Sequence, residues 1–302
     1  MNRPPLHVLG LGVVAVDDVV HVERYPAADD KQPVVREERV LGGLMGTALA
    51  AASRLGGQCA YLGVLGADEL SLAARKGLDQ AGVDVSLIST QEHAGPVHSV
   101  IVANDLTHTR AIFFNESLTV APALSDIGAD VVGLAKVLLV DHVHLSAAVA
   151  ACRAARALGA PTVADIESAK AGELMALVDH LIVPRSFASA MTGSSEPIEM
   201  VRRLHGRGRR CTAVTCGSAG CYFQAGDGPA AHQKAFVVPQ VETTGCGDVF
   251  HGSYALALAQ GQDLARCIEF ASAAAAVFAS RPSGWRHLPQ LAEVLALIDS
   301  QS

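Results

Sequence analysis

Val241-Glu242-Thr243-Thr244-Gly245-Cys246-Gly247-Asp248-Val249-Phe250-His251-Gly252 is the stretch that settles what kind of chain this is. Two threonines and two glycines lead into an aspartate. A helix-like pattern carried by Leu256, Ala257 and Leu258 follows, with Gly261 as its stop. A glycine-rich turn at a helix start leaves backbone N–H groups pointing outward, with the positive end of the helix dipole behind them. That suits a phosphate or a developing phosphoryl charge. An aspartate in the same turn is placed to accept a proton from a hydroxyl, and cradle plus base is the minimum equipment for phosphorylating an alcohol. Taken in isolation, the string also reads as a tight strand-to-helix turn with an N-terminal Asp cap.

The 302 residues carry a net charge of −7; half are hydrophobic and only 4% aromatic. The acidic balance argues against a nucleic-acid-binding protein. Abundant alanine and glycine suit helices packed closely on a buried parallel sheet. The one basic cluster, Arg202, Arg203, Arg207, Arg209 and Arg210, reads as the solvated end of a helix. Seven scattered cysteines form no CxxC pair, so reduced buried thiols are expected rather than a zinc site or disulfides. Residues 1–5 show no signal-peptide layout and no apolar run reaches membrane-spanning length, so a soluble cytoplasmic protein is expected, with neither nucleic acid nor membrane as partner.

Residues 6–11 read as an apolar strand ending at Gly12. Two half-polar β regions follow, about 19–40 and 99–115, the second turning at Asn104-Asp105. They predict one small sheet lying as a lid over the main domain. Elsewhere strand and helix alternate: helices over 47–55, 146–158, 247–260 and 263–279, and strands over 59–65, 137–144, 162–165, 181–184 and 212–216. Repeated βα units imply a single α/β domain over 1–302. It should have three layers, α/β/α, with a mostly parallel central sheet, and the lid drawn from about 13–41 and 97–116. Ligands in such sheets bind beyond the carboxyl ends of the strands. His142 and His144, two apart on a strand, would share one face at that edge.

The quoted stretch closely resembles the C-terminal signature of the ribokinase-like, or PfkB, sugar kinases, D-T-T-G-A-G-D-x-F-x-G, with Glu242 for the first Asp and Cys246 for the Ala. Gly42-Gly43-Leu44-Met45-Gly46-Thr47, opening a helix that closes Arg54-Leu55-Gly56, resembles the N-terminal signature. The resemblance spans Gly10 to about Pro289. It implies an ATP-dependent carbohydrate kinase with Mg²⁺, in which Asp248 is the base and the N–H groups of Gly245, Cys246 and Gly247 stabilise the transferring charge. It makes Asp17 the binder of sugar hydroxyls, beside Gly42, Gly43 and Thr47, with Asp18 as the alternative carboxylate. Thr215, Gly217 and Gly220 would form the nucleotide-side loop, and the Ala-rich helix with Ala276 and Ser280 would border the adenine. Glu242 and Thr244, with carbonyls reaching Gly284, would form a site for a monovalent cation such as K⁺.

The departures matter too. Leu44 and Thr47 stand where many sugar kinases carry Asn. Pro184-Arg185-Ser186-Phe187 replaces the N-x-x-E motif that organises Mg²⁺ in many relatives. The C-terminal part is similar to a branch that includes sulfofructose kinases, where Lys31 and Asn115 would hold an anionic sugar tail, although that branch's Arg falls at Val143 or His142. A ketose, a sugar phosphate or a sulfosugar is therefore the expected acceptor. A nucleoside kinase of the same fold and a non-catalytic sugar-responsive binding protein remain open as alternatives. Exposed lid edges suggest a homodimer through the lid.

Overall fold

The computed structural model describes residues 5–107, 109–282 and 284–301. The first half of the chain runs β1 (Leu6–Leu11), β2 (Ala15–Val22), β3 (Val34–Gly42), α1 (Leu44–Arg54), β4 (Cys59–Leu65), α2 (Glu69–Gln80), β5 (Val83–Asp84), β6 (Ile88–Thr90), β7 (Val97–Asn104), β8 (Thr109–Asn115), α3 (Ala129–Val132), β9 (Ala135–Asp141) and α4 (Leu145–Leu158). The second half runs β10 (Thr162–Asp165), α5 (Gly172–Leu177), β11 (His180–Pro184), α6 (Arg185–Thr192), α7 (Pro197–Leu204), β12 (Cys211–Thr215), β13 (Cys221–Ala225), β14 (Ala230–Gln233), α8 (Cys246–Ala259), α9 (Leu264–Ala279) and α10 (Leu291–Gln301).

The main sheet has the order β14-β13-β12-β11-β10-β9-β1-β4-β5, with β6 also pairing β4. It is parallel from β5 to β12 and antiparallel only at the β12-β13-β14 edge. Successive side chains of a strand point to opposite faces, and here both faces are covered. Val137 and Leu139 of β9 join the core under α1, α8 and α9, while Leu138 and Val140 join the core under α4. Three layers follow from that alternation. Helix α8 is apolar nearly all round, and accordingly it lies buried between α1 and α9.

The second sheet has four strands in the order β3-β2-β7-β8, built from the two half-polar regions. Strand order in the main sheet reverses at β1: the chain goes to β4 on one side and returns as β9 on the other. The carboxyl ends of β1 and β9 therefore form a switch point, where α/β sheets open a crevice.

Strand β9 ends earlier than the expected 144, because the Asp141 carboxylate accepts the Val143 N–H at 2.9 Å and pulls the chain into a turn. His142 and His144 thus share no strand face; His144 is the residue before α4. Helix α1 begins at Leu44 rather than 47, since the N–H groups of Met45 and Gly46 both donate to the Val13 carbonyl. Helix α2 and the β13–β14 hairpin have no counterpart in the pattern read from the sequence. The basic cluster is solvated at Arg202, Arg203, Arg207 and Arg210, but Arg209 tucks inward and donates to the Met175 carbonyl.

One core histidine makes stability pH-dependent. His180 is fully buried, with Nδ1 2.8 Å from the Tyr254 hydroxyl. Burial pushes its pKa down to about 4. The folded state therefore resists a proton that the unfolded chain takes up near 6.5. The contribution of this group is complete above that pH and is lost as pH falls toward 4, on the order of 3 kcal/mol. Denaturant midpoints measured across this window should fall less steeply for His180→Phe than for the parent; equal slopes would remove His180 as the cause.

Candidate active site

The crevice at the switch point is lined by carboxylates. Asp141, fully buried at the end of β9, accepts from the Val13 N–H at 2.7 Å and lies directly under Gly12, where a Cβ would come within 2.1 Å of its Oδ2. Only glycine allows β1 to end there. Beside it in register lies Asp165, at the end of β10 and 4% exposed. Burial raises the pKa of both groups.

Above them α8 begins. Gly245 adopts φ +82°, a left-handed turn that aims the chain into the helix. Gly247 is exposed, with open space where a side chain would stand. The N–H groups of Gly245 and Gly247 have no backbone partner among the described residues. The Cys246 N–H, in contrast, donates to the Thr243 carbonyl at 3.2 Å. Cys246 is therefore not a free donor of the cradle, because the turn that forms the cradle consumes its N–H. Its thiol is pushed up to about 12 by burial and the nearby Asp248 and Glu242 carboxylates, so it is no nucleophile.

Asp248 sits half-buried in the first turn of α8. Its pKa is raised well above the ordinary carboxylate range, first by burial and then by Asp165, Glu167 and Asp141. Burial and like charges strengthen the carboxylate as a proton acceptor, against the positive end of the α8 dipole, which favours its ionised form.

A cavity of about 460 Å³ runs from the cradle along α9. Thr215, Gly217, Gly220, Cys246, Gly247 and Ala276 line it, so the residues from β12, the following loop, α8 and α9 do come together. Gly220 has no alternative: its φ is +87° and a Cβ would meet the Gln233 carbonyl at 2.2 Å. Ser280 is not part of this wall; its hydroxyl turns back to the Val277 carbonyl at 2.7 Å, closing the end of α9. Phe236, Val237, Val238 and Gln240, from the stretch between β14 and α8, complete the cavity. No motif marks them, since irregular chain has no periodicity. Size and apolar lining suit a flat base.

On the other side stand the residues of the small sheet. Asp17 of β2 is half-buried; burial raises its pKa, partly offset by a hydrogen bond from Ser99. Gly42 leaves its carboxylate room, since a Cβ there would lie 2.7 Å from Oδ2. Asp18 points to the opposite face, committed to Arg39 at 2.7 Å and His98 at 2.9 Å. Gly43, at φ +86°, brings the chain against the backbone of Val13 and Ala15. Thr47 is 4% exposed, with its hydroxyl accepting the Trp285 indole N–H at 3.1 Å. It is a packing residue behind the cradle rather than part of an open sugar surface. Trp285 was not singled out from the sequence, although it is the chain's only tryptophan. Lys31 lies exposed between β2 and β3. Asn115, at the end of β8, uses Oδ1 to accept the Ser117 N–H at 2.9 Å.

The expected cation ligands are mixed. Thr244 Oγ1 is buried without a partner among the described residues, as a cation ligand would be. Glu242 instead faces Arg110 of β8 at 3.2 Å. Gly284, at φ +102°, is described, while Ser283 beside it lies outside the described residues. Among the described residues no group of three or more His, Cys, Asp or Glu is arranged to hold a metal ion, and the stretch Pro184-Arg185-Ser186-Phe187 carries no N-x-x-E pair. No described helix is long and apolar enough to cross a membrane.

Residues 11–290 match the description "pfkB family carbohydrate kinase". The ribokinase of Staphylococcus aureus (strain COL) is 26% identical over 298 residues, 95% of this chain and 98% of that protein. The ATP-dependent ribose-1-phosphate kinase of Halopiger xanaduensis is 26% identical over 306 residues, 98% of this chain and 99% of that protein. The structure of Arabidopsis thaliana ribokinase complexed with ribose and ATP shares the fold at a TM-score of 0.86 and 22% identity, over 98% of this chain and 99% of that one.

Proposed function

The chain belongs to the pfkB family of carbohydrate kinases, and from that membership we propose that it moves the γ-phosphoryl group of ATP onto a hydroxyl of a sugar or sugar derivative. The observation that carries this is Asp248, a half-buried carboxylate of raised pKa, beside the outward Gly245 and Gly247 N–H groups at the mouth of the apolar cavity. ATP lies with its base against Ala276 and its phosphates at the start of α8. The sugar sits between Asp17 and Asp248. Asp248 takes the hydroxyl proton as the oxygen attacks, and the glycine N–H groups and the dipole of α8 meet the developing charge. Mg²⁺ bound with the nucleotide would supply charge neutralisation of the phosphates; among the described residues no cluster of His, Cys, Asp or Glu would cage it. K⁺ would bind at the Thr244 hydroxyl and neighbouring carbonyls.

The four-stranded sheet acts as the lid that excludes water. Its site-facing side carries Asp17 and Arg110, and the Arg110–Glu242 pair ties it to the chain just before the cradle. Both edge strands, β3 and β8, expose apolar residues, among them Val34, Val35, Phe113 and Phe114. A homodimer forms through this sheet in our reading; light scattering that gives the mass of one chain at working concentration would contradict it.

ADP release from MgATP is the test, run against ketoses, pentoses, sugar phosphates, a sulfosugar and nucleosides, with and without K⁺. Response to one sugar class is expected; silence across all of them with ATP still bound would overturn catalysis. Asp17→Ala removes a partly desolvated acceptor of two sugar hydroxyls, so KM for the sugar should rise about 10- to 100-fold while KM for ATP stays within about threefold. An unchanged sugar KM would exclude Asp17 from the sugar site.

A further inference from the structure

His251 lies on α8 one turn after Gly247, 3% exposed, with both ring nitrogens within hydrogen-bond reach of backbone carbonyls. Nδ1 is 2.8 Å from the Gly247 carbonyl and 3.3 Å from Asp165 Oδ2; Nε2 is 3.1 Å from the Ile182 carbonyl of β11. A carbonyl oxygen cannot donate, so a ring nitrogen that bonds either carbonyl does so as an N–H donor. The Asp165 carboxyl is a third polar partner of the ring. The other side chain against the ring is Phe250, edge-on at 6.3 Å. The charged groups around this pair are Asp141 beside Asp165 in β9, Asp248 on α8, and Glu167 and His142 in the turns after β10 and β9.

We infer that His251 is a positioning residue for phosphoryl transfer. Its ring ties the Gly247–Asp248 peptide to the carboxyl end of β10 and the middle of β11, and so holds cradle and base in register with the sheet; the assignment rests on Asp248 being the base. The Gly247 carbonyl belongs to the peptide that carries the Asp248 N–H, so a hydrogen bond to it restrains the first turn of α8 directly. The contact to Ile182 anchors the ring to the central sheet, and the contact with Asp165 joins a third element.

The experiment compares His251→Asn, His251→Gln and His251→Phe with the parent. It reads kcat, both KM values, thermal melting and the ¹⁵N NMR signature of the wild-type imidazole. An Asn amide reaches the place of Nδ1 and a Gln amide that of Nε2. His251→Phe and His251→Gln should lower kcat about 10- to 100-fold with both KM values within about threefold, the size of effect a small misplacement of a reacting group produces. His251→Asn should recover most of the loss, because it restores the Gly247 contact. The ¹⁵N signature of the wild-type ring should show a nitrogen engaged as hydrogen-bond donor. A ring with no hydrogen-bonded nitrogen, a folded His251→Phe with kcat within twofold of the parent, or an Asn variant no better than Phe would each overturn the assignment. Asp248→Asn run in parallel separates the two readings: full turnover there removes the base, while the NMR signature still reports the His251 contacts.

Discussion

Asp248→Asn is expected to lower kcat roughly 10³-fold, the scale of a general base removed from its site, with sugar and ATP dissociation constants within a few-fold of the parent. Asparagine keeps the shape and the helix position but cannot take the hydroxyl proton. The cradle N–H groups of Gly245 and Gly247 stay in place, so ATP binding should survive. The parent's pH profile carries the same signature. Burial and the Asp165, Glu167 and Asp141 carboxylates raise the Asp248 pKa, so the active, ionised form is lost as pH falls through a value above the ordinary carboxylate range. Turnover in the Asn variant within tenfold of the parent, or an acid limb at the ordinary carboxylate value, would show that another group accepts the proton.

Gly252→Ala should be the most damaging single methyl in the chain. A Cβ there would lie 1.9 Å from the Ala48 carbonyl oxygen and 2.6 Å from its carbon. Both are backbone atoms, so no rotamer change relieves the clash and α1 must move from α8. A loss of about 3 kcal/mol in stability is expected. Turnover should fall as well, since α1 follows Gly42-Gly43 and α8 carries Asp248, and separating the two helices separates the halves of the site. Gly172→Ala is the control: nothing lies within 4 Å of its Cβ position, and its denaturation midpoint should stay close to the parent's or rise slightly. A Gly252→Ala midpoint equal to the parent's would mean the α1–α8 contact has slack.

The site was legible in proportion to how local its parts are. Gly245, Gly247 and Asp248 occupy one turn, and a glycine-rich helix start with an aspartate follows from neighbouring residues alone. The strands β1, β4 and β10 were legible for the same reason: short apolar runs bounded by turn residues signal buried strands. The β13–β14 hairpin went unread because its strands are short, and α2 was missed although Asp68 caps it and its apolar residues fall at helical spacing. The turn after Asp141 was hidden because it depends on one side chain bonding the backbone two residues on.

Composition and local pattern thus specified a parallel α/β sheet, a small separate sheet and a glycine-rich helix start carrying an aspartate, all of which need only chain neighbours and period. The commitment of Asp18 to Arg39 and His98 came from cross-strand pairing. The withdrawal of Thr47 from the sugar surface came from Trp285, 238 residues away. The engagement of both His251 nitrogens came from β10 and β11 meeting α8. Each of these depends on which groups are desolvated together and which acceptor lies within hydrogen-bond reach. Such relations exist only once the chain has closed on itself, because burial and donor–acceptor distance are properties of packed elements and not of residues in order.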